Sequence, residues 1–250
     1  MAGTDHDKAA DWAGQVPAMI LVRPQMGENI GAAARAMWNF GIDRMRLVAP
    51  RDGWPNEKAV AMASGAGRVL DQVMLRDTVE EATADLNFVF ATTARPRDLV
   101  KDCYTPEEAM AEARARMAQG QKVGVMFGPE RAGLENSDIV RADAIITVPV
   151  NPAFASLNLA QCVLLVAYEW MRQQGAPERE FPERAEGQVI HALTDHLEEA
   201  LDRAHFFWPE DKRPSMIANL RNMISRMPLT DGDVRIWHGM IRALTRRQEK

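Results

Sequence analysis

Arg35 is the only cation between Arg23 and Arg44, and Gly31, Ala32, Ala33, Ala34 and Ala36 surround it with almost no side chain. A guanidinium placed this way can meet an anionic or hydroxyl-bearing ligand, because nothing beside it blocks the approach. A packed alanine helix carrying one solvated arginine fits the same residues. A second segment, VGVMFGPERAGL over Val123 to Leu134, runs an apolar strand into Gly128, Pro129, Glu130 and Arg131, then Gly133. The chain must turn sharply there and can offer backbone N–H and C=O groups to a ligand, although a plain tight turn fits equally well. Gly128 and Gly133 are five apart, as in a phosphate loop, but Leu134 stands where that loop needs lysine. Nucleoside-triphosphate chemistry is therefore not supported, and the absence of G-x-G-x-x-G after a strand weighs against a dinucleotide. In a third segment Asn151-Pro152 ends a strand and Ser156-Leu157-Asn158 opens a strongly apolar helix. Ser156 can serve as its N-cap, and Ser and Asn at a helix start can also hold a ribose hydroxyl, a phosphate or a carboxylate.

Each segment follows an apolar run that reads as a strand. The predicted strands are 19–22, 45–48, 88–91, 122–127 and 144–150, with helical patterns over 29–39, ending at Gly41, and over 106–119, ending at Gly120. Short strands alternating with helices predict an α/β domain with a mostly parallel sheet, and ligands of such sheets gather beyond the carboxyl ends of the strands. The most apolar run, 157–170, carries Asn158, Gln161 and Glu169 and is too short to span a bilayer, so it is expected to be a buried helix. Residues 1–16 form a polar tail, 17–174 the α/β domain and 175–187 a linker rich in proline and charge. Helices are expected over 188–207, 215–227 and 233–247, with Thr230 as the N-cap of the last.

Composition narrows the function. With 250 residues, 46% of them hydrophobic, the chain can bury a substantial core. The polar start MAGTDHDKAADWAG lacks the features of a secretory signal, so a soluble cytoplasmic protein is expected, with no membrane partner. Cys103 and Cys162 stand far apart without ligand-spaced neighbours, and His191 and His196 are five apart, so neither a disulfide framework nor a metal is implied. The net charge of −5 is unevenly spread: residues 211–250 hold nine basic and four acidic groups, the rest 21 basic and 31 acidic. A basic tail on an acidic body fits local attraction to phosphate, and an ordinary solvated face fits it about as well.

Taken together and in order, N-I-G-A-A-A-R, F-G-P-E-R-A-G-L and N-P-A-F-A-S-L-N-L-A resemble the three signature motifs of the SpoU branch of the SPOUT superfamily of RNA 2′-O-methyltransferases. A-T-T-A-R over Ala91 to Arg95 is similar to an additional strand-end segment of that branch. The tail, with Phe207-Trp208-Pro209 and Val234-Arg235-Ile236-Trp237-His238-Gly239-Met240, is similar to the helical C-terminal region of TrmJ-type tRNA methyltransferases.

The resemblance implies an α/β fold whose C-terminal part forms a trefoil knot, a homodimer, and S-adenosyl-L-methionine as cofactor. By motif position the cofactor pocket would use Thr92, Thr93, Ala94, Gly128, Val148, Ala155, Ser156 and Leu157. Arg35 would be the catalytic arginine, with Asn29, Glu130, Ser156 and Asn158 as the other polar residues of the active site. The implied reaction is methylation of a ribose 2′-hydroxyl in tRNA, at pyrimidine 32 of the anticodon loop, with residues 188–250 binding RNA. Alternatives are a ribosomal RNA or another tRNA position as target, or a non-catalytic RNA-binding protein.

Overall fold

The computed structural model describes residues 14–94, 101–173 and 183–246. Seven strands form one sheet: β1 (Ala18–Val22), β2 (Met45–Val48), β3 (Met74–Arg76), β4 (Phe88–Thr92), β5 (Cys103–Tyr104), β6 (Val123–Phe127) and β7 (Ala144–Ile146). Their spatial order is β3-β2-β1-β6-β4-β7-β5, and every neighbouring pair is parallel. β1, β2 and β6 are buried along their whole length, which requires cover on both faces; β1 and β6 accordingly carry no charged residue, and β2 carries one, Arg46, which pairs with Asp85.

The cover comes from α1 (Gly27–Asn39), α5 (Pro106–Ala118) and α7 (Leu159–Arg172) on one face and from α4 (Val79–Thr83) and α6 (Asn136–Ile139) on the other. Alternate side chains divide accordingly: Met19, Leu21 and Phe127 join Ile30, Met37 and Val163, while Ile20, Val22 and Met126 join Val79 and Ile139. Two further helices, α2 (Glu57–Ala63) and α3 (Gly67–Asp71), link β2 to β3. Local rules set the helix ends. Gly41 takes the left-handed conformation just past α1, and Thr105 and Glu108 form a reciprocal capping box at the start of α5, with Pro106 in its first turn.

Three expectations need correction. β7 ends at Ile146; the Thr147 amide still donates to Tyr104 of β5, but residues 148–150 leave the sheet, where Pro149 has no N–H for a ladder. The apolar helix begins at Leu159 and not at Ser156: the Asn158 side chain accepts from the amides of Ala160 and Gln161 and is the N-cap. That helix is also buried on one side only, with Leu164, Leu165 and Tyr168 exposed.

Beyond the sheet, α8 (Gly187–Arg203), α9 (Arg213–Ser225) and α10 (Asp231–Thr245) pack around Leu193, Ile224, Val234 and Ile241. Thr230 caps α10 in a box with Asp233. Most of the expected linker, 175–182 of 175–187, lies outside the described residues, while its end is fastened to the sheet. The Asn87 amide donates to the Arg184 carbonyl at 2.7 Å, and the Gly187 amide to Leu86 at 2.7 Å. The buried Arg184 guanidinium pairs with Asp143 and donates to the carbonyls of Ser225 (2.7 Å) and Met227 (2.9 Å). Leu86, Asn87 and Asp143 all precede their strands, so the helical tail is joined at the amino edge of the sheet.

Candidate active site

The carboxyl edge of the same sheet is organised around Glu130. Its carboxylate accepts from the amides of Gln25 (2.8 Å) and Met26 (3.2 Å) and from the Asn29 side chain (2.7 Å). These donors lie at or just before the start of α1, where unpaired N–H groups and the helix dipole favour a negative charge. Asn29 in turn accepts from the Asn158 side chain at 3.0 Å, while Asn158 still caps α7. Asn29, Glu130 and Asn158 are thus one hydrogen-bonded chain tying the loop after β6 to the starts of α1 and α7.

Next to this chain lies a cavity of about 240 Å³. Every expected cofactor position lines it: Thr92 at the end of β4 with Thr93 and Ala94 beyond it, Gly128 beyond β6, Val148 beyond β7, and Ala155, Ser156 and Leu157 before α7. Phe127, Leu134, Ile146 and Leu159 supply apolar wall, and Thr92 donates its hydroxyl to the Met126 carbonyl at 2.9 Å. Gly128 is fixed by close packing: a Cβ there would lie 2.1 Å from the Leu134 nitrogen and 2.4 Å from the Gly133 carbonyl carbon. The loop folds back over it, held by the Gly133 amide donating to Pro129 at 2.8 Å. Ser156 is exposed at the rim and free of the capping role.

Arg35 stands apart. It is exposed on α1, does not line the cavity, and makes no hydrogen bond or ion pair among the described residues. The small residues around it serve the chain's own packing, because a Cβ on Gly31 would sit 2.2 Å from the Ala59 carbonyl oxygen of α2. Ala33 and Ala34 are wholly buried.

Sequence reasoning missed Arg131, Cys162 and the Gln25 and Met26 amides. Arg131 lines the cavity and lies inside the glycine-rich segment, where its charge is a visible signal. Cys162 carried none: burial pushes its thiol up to about 11, opposed by a hydrogen bond with Thr92, so it forms wall and is no nucleophile at neutral pH. Beside the site, Arg23 holds a left-handed conformation (φ 47°) and pairs with Asp138 of α6, a contact that raises its pKa and fixes the turn after β1. Arg95 lies outside the described residues. Among the described residues no group of three or more His, Cys, Asp or Glu could hold a metal, and no helix is long and apolar enough to cross a membrane.

The SpoU rRNA Methylase family matches residues 17–168 of the chain. The tRNA (cytidine/uridine/adenosine-2'-O-)-methyltransferase TrmJ of Pseudomonas aeruginosa (strain UCBPP-PA14) is 32% identical over 236 residues, covering 89% of this chain and 91% of the relative. The tRNA (cytidine/uridine-2'-O-)-methyltransferase TrmJ of Yersinia pestis (strain Pestoides F) is 31% identical over 240 residues, 92% of each. Among solved structures, TrmJ from Z. mobilis ZM4 is similar over 92% of this chain and 99% of its own, with 50% identity and a TM-score of 0.85.

Proposed function

The chain belongs to the SpoU rRNA methylase family, and on that premise we propose that it transfers a methyl group from S-adenosyl-L-methionine to a ribose 2′-hydroxyl of tRNA, at pyrimidine 32 of the anticodon loop. The observation that supports this most is the convergence of eight separately placed residues on one cavity, beside the Asn158–Asn29–Glu130 chain. Their chemistry suits the cofactor: apolar walls for the adenosyl group and the methylenes of the methionine chain, backbone N–H and C=O at the strand ends for the adenine edge, and hydroxyls for the ribose. When bound, the cofactor supplies an electrophilic methyl on a positively charged sulfur.

The residues of the chain do the rest. A 2′-hydroxyl is a poor nucleophile until negative charge on its oxygen is stabilised. Arg35 is assigned that role: it holds the ribose and its phosphate and stabilises alkoxide character, while the proton leaves to phosphate or water, because a guanidinium does not serve as a base. Glu130 acts as a positioning residue that fixes the start of α1, and Asn29 and Asn158 orient the rim beside Ser156. Since Arg35 lies outside its own cavity, the site is completed by a second copy in a two-fold homodimer, with Arg35 of one protomer reaching the cavity of its partner. The exposed apolar face of α7 at Leu164, Leu165 and Tyr168 suits that pairing. The C-terminal half of the domain is read as the trefoil knot of the family.

Incubation of the protein with unmodified tRNA and methyl-labelled cofactor, followed by mapping of 2′-O-methyl groups, tests the reaction. Label on a ribose at position 32 is expected. Label on a base, or on ribosomal RNA alone, sinks the assignment.

A further inference from the structure

Of the described residues lining the cavity, two carry charge, Glu130 and Arg131. The Glu130 carboxylate is already committed to the Gln25 and Met26 amides and to Asn29. Arg131 is exposed at the rim and has no hydrogen bond or ion pair among the described residues. Its backbone is nevertheless held in place, between the buried Pro129 and Leu134 (1% exposed) in a loop that closes tightly over Gly128. The rim of the cavity therefore carries one uncommitted positive charge, on a side chain whose backbone is held in place.

This deepens the cofactor reading and rests on it. S-adenosyl-L-methionine carries a sulfonium, an ammonium and a single carboxylate. The carboxylate is the one anionic group of the cofactor, so it is where a guanidinium gains a charge-assisted, direct N–H···O contact. We propose that Arg131 binds the α-carboxylate of S-adenosyl-L-methionine through charge-assisted N–H···O hydrogen bonds, and so sets which way round the cofactor lies. The product keeps this carboxylate after the methyl group has gone, so the contact serves binding of cofactor and product alike and contributes nothing specific to the transition state.

Calorimetric titration with S-adenosyl-L-methionine, S-adenosylhomocysteine and decarboxylated S-adenosylmethionine tests the assignment. Arg131→Ala is expected to weaken the first two by about ten- to a hundredfold, the range of a hydrogen bond to a charged group. It should leave the decarboxylated analogue unchanged, and Arg131→Lys should recover part of the loss. Equal weakening of all three ligands would mean that Arg131 only supports the loop, and overturns the proposal. Unchanged cofactor affinity with a raised KM for tRNA overturns it too, placing Arg131 on an RNA phosphate. A wild-type protein that binds none of the three ligands brings down the cofactor reading itself.

Discussion

At the scale of single residues, Arg35 and Lys101 make contrasting use of positive charge. Arg35 has no hydrogen bond or ion pair among the described residues, and its proposed role in stabilising charge predicts that Arg35→Ala lowers the transfer rate by about 10²–10³. Cofactor affinity by calorimetry should stay near wild type, since Arg35 does not line the cavity; a joint loss would make it structural. Lys101 is half-buried, and its amine donates to the Ser225 hydroxyl of α9 at 2.7 Å. Burial pushes its pKa down to about 8 from the ordinary 10.5, partly opposed by Asp143. Between these values the unfolded chain binds more protons than the folded one, so stability should rise with pH across that window and lose this gain below pH 8. The gain is on the order of 3 kcal/mol over the full window. Denaturant titrations of wild type and Lys101→Met from pH 7.5 to 10.5 (about the span of the two pKa values) measure it as the difference in slope; parallel curves would refute it.

Among the elements, those legible in the sequence were the ones whose signals are local. α1, α5 and α10 announce themselves by Gly41, by Thr105-Pro106 and by Thr230 with Asp233, and each cap is present. β3 and β5 were not seen because they are three and two residues long and only partly buried, giving no apolar run to read. The eight cavity positions were legible through motif resemblance. Their packing was not: that Gly31 meets Ala59 and that Gly128 lies under Leu134 depends on contacts between distant parts of the chain. Charge counting misled in one respect, since Arg213 and Arg221 are neutralised by Asp202 and Glu198 of α8. On α10 the count holds. Arg235 and Arg242 on the helix and Arg246 at its C-cap are exposed and seven and four residues apart, which places them on one stripe. Replacing all three with Gln should reduce the dependence of log affinity for tRNA on log salt by about two to three. An unchanged slope removes α10 from the RNA site.

The whole molecule is held together at the amino edge of the sheet. Arg184→Ala would leave Asp143 buried without its cation and free two carbonyls, and should destabilise the protein by about 3–5 kcal/mol. Chemical denaturation would reveal this as a lowered midpoint, while a loss under 1 kcal/mol (about the worth of a surface ion pair) would show that the joint is solvated. Deleting the tail from residue 174 onward exposes the same carboxylate, so point substitutions on α10 are the cleaner way to probe RNA binding. The proposed dimer has its own test at this scale. A heterodimer of Arg35→Ala with Gly128→Trp should regain activity through one intact composite site, although each parent is inactive. Purified heterodimers as inactive as their parents would place the whole site within one chain.

The tail and the cavity meet opposite edges of one sheet, with strands of about five residues between them, a span of roughly 16 Å. For an RNA gripped by α10 and methylated at the carboxyl edge, the sheet is a spacer of fixed length. The substrate is then selected as with a pair of calipers, by the separation between a stretch of its backbone and one ribose, and only secondarily by the identity of the base. Substrates lengthened by a base pair between those two parts should bind with undiminished affinity yet receive little methyl, or receive it one nucleotide away. Gel-shift and methyl-mapping experiments on the same lengthened tRNA would separate the two effects, and methylation that tracked the base in spite of the insertion would rule the calipers out.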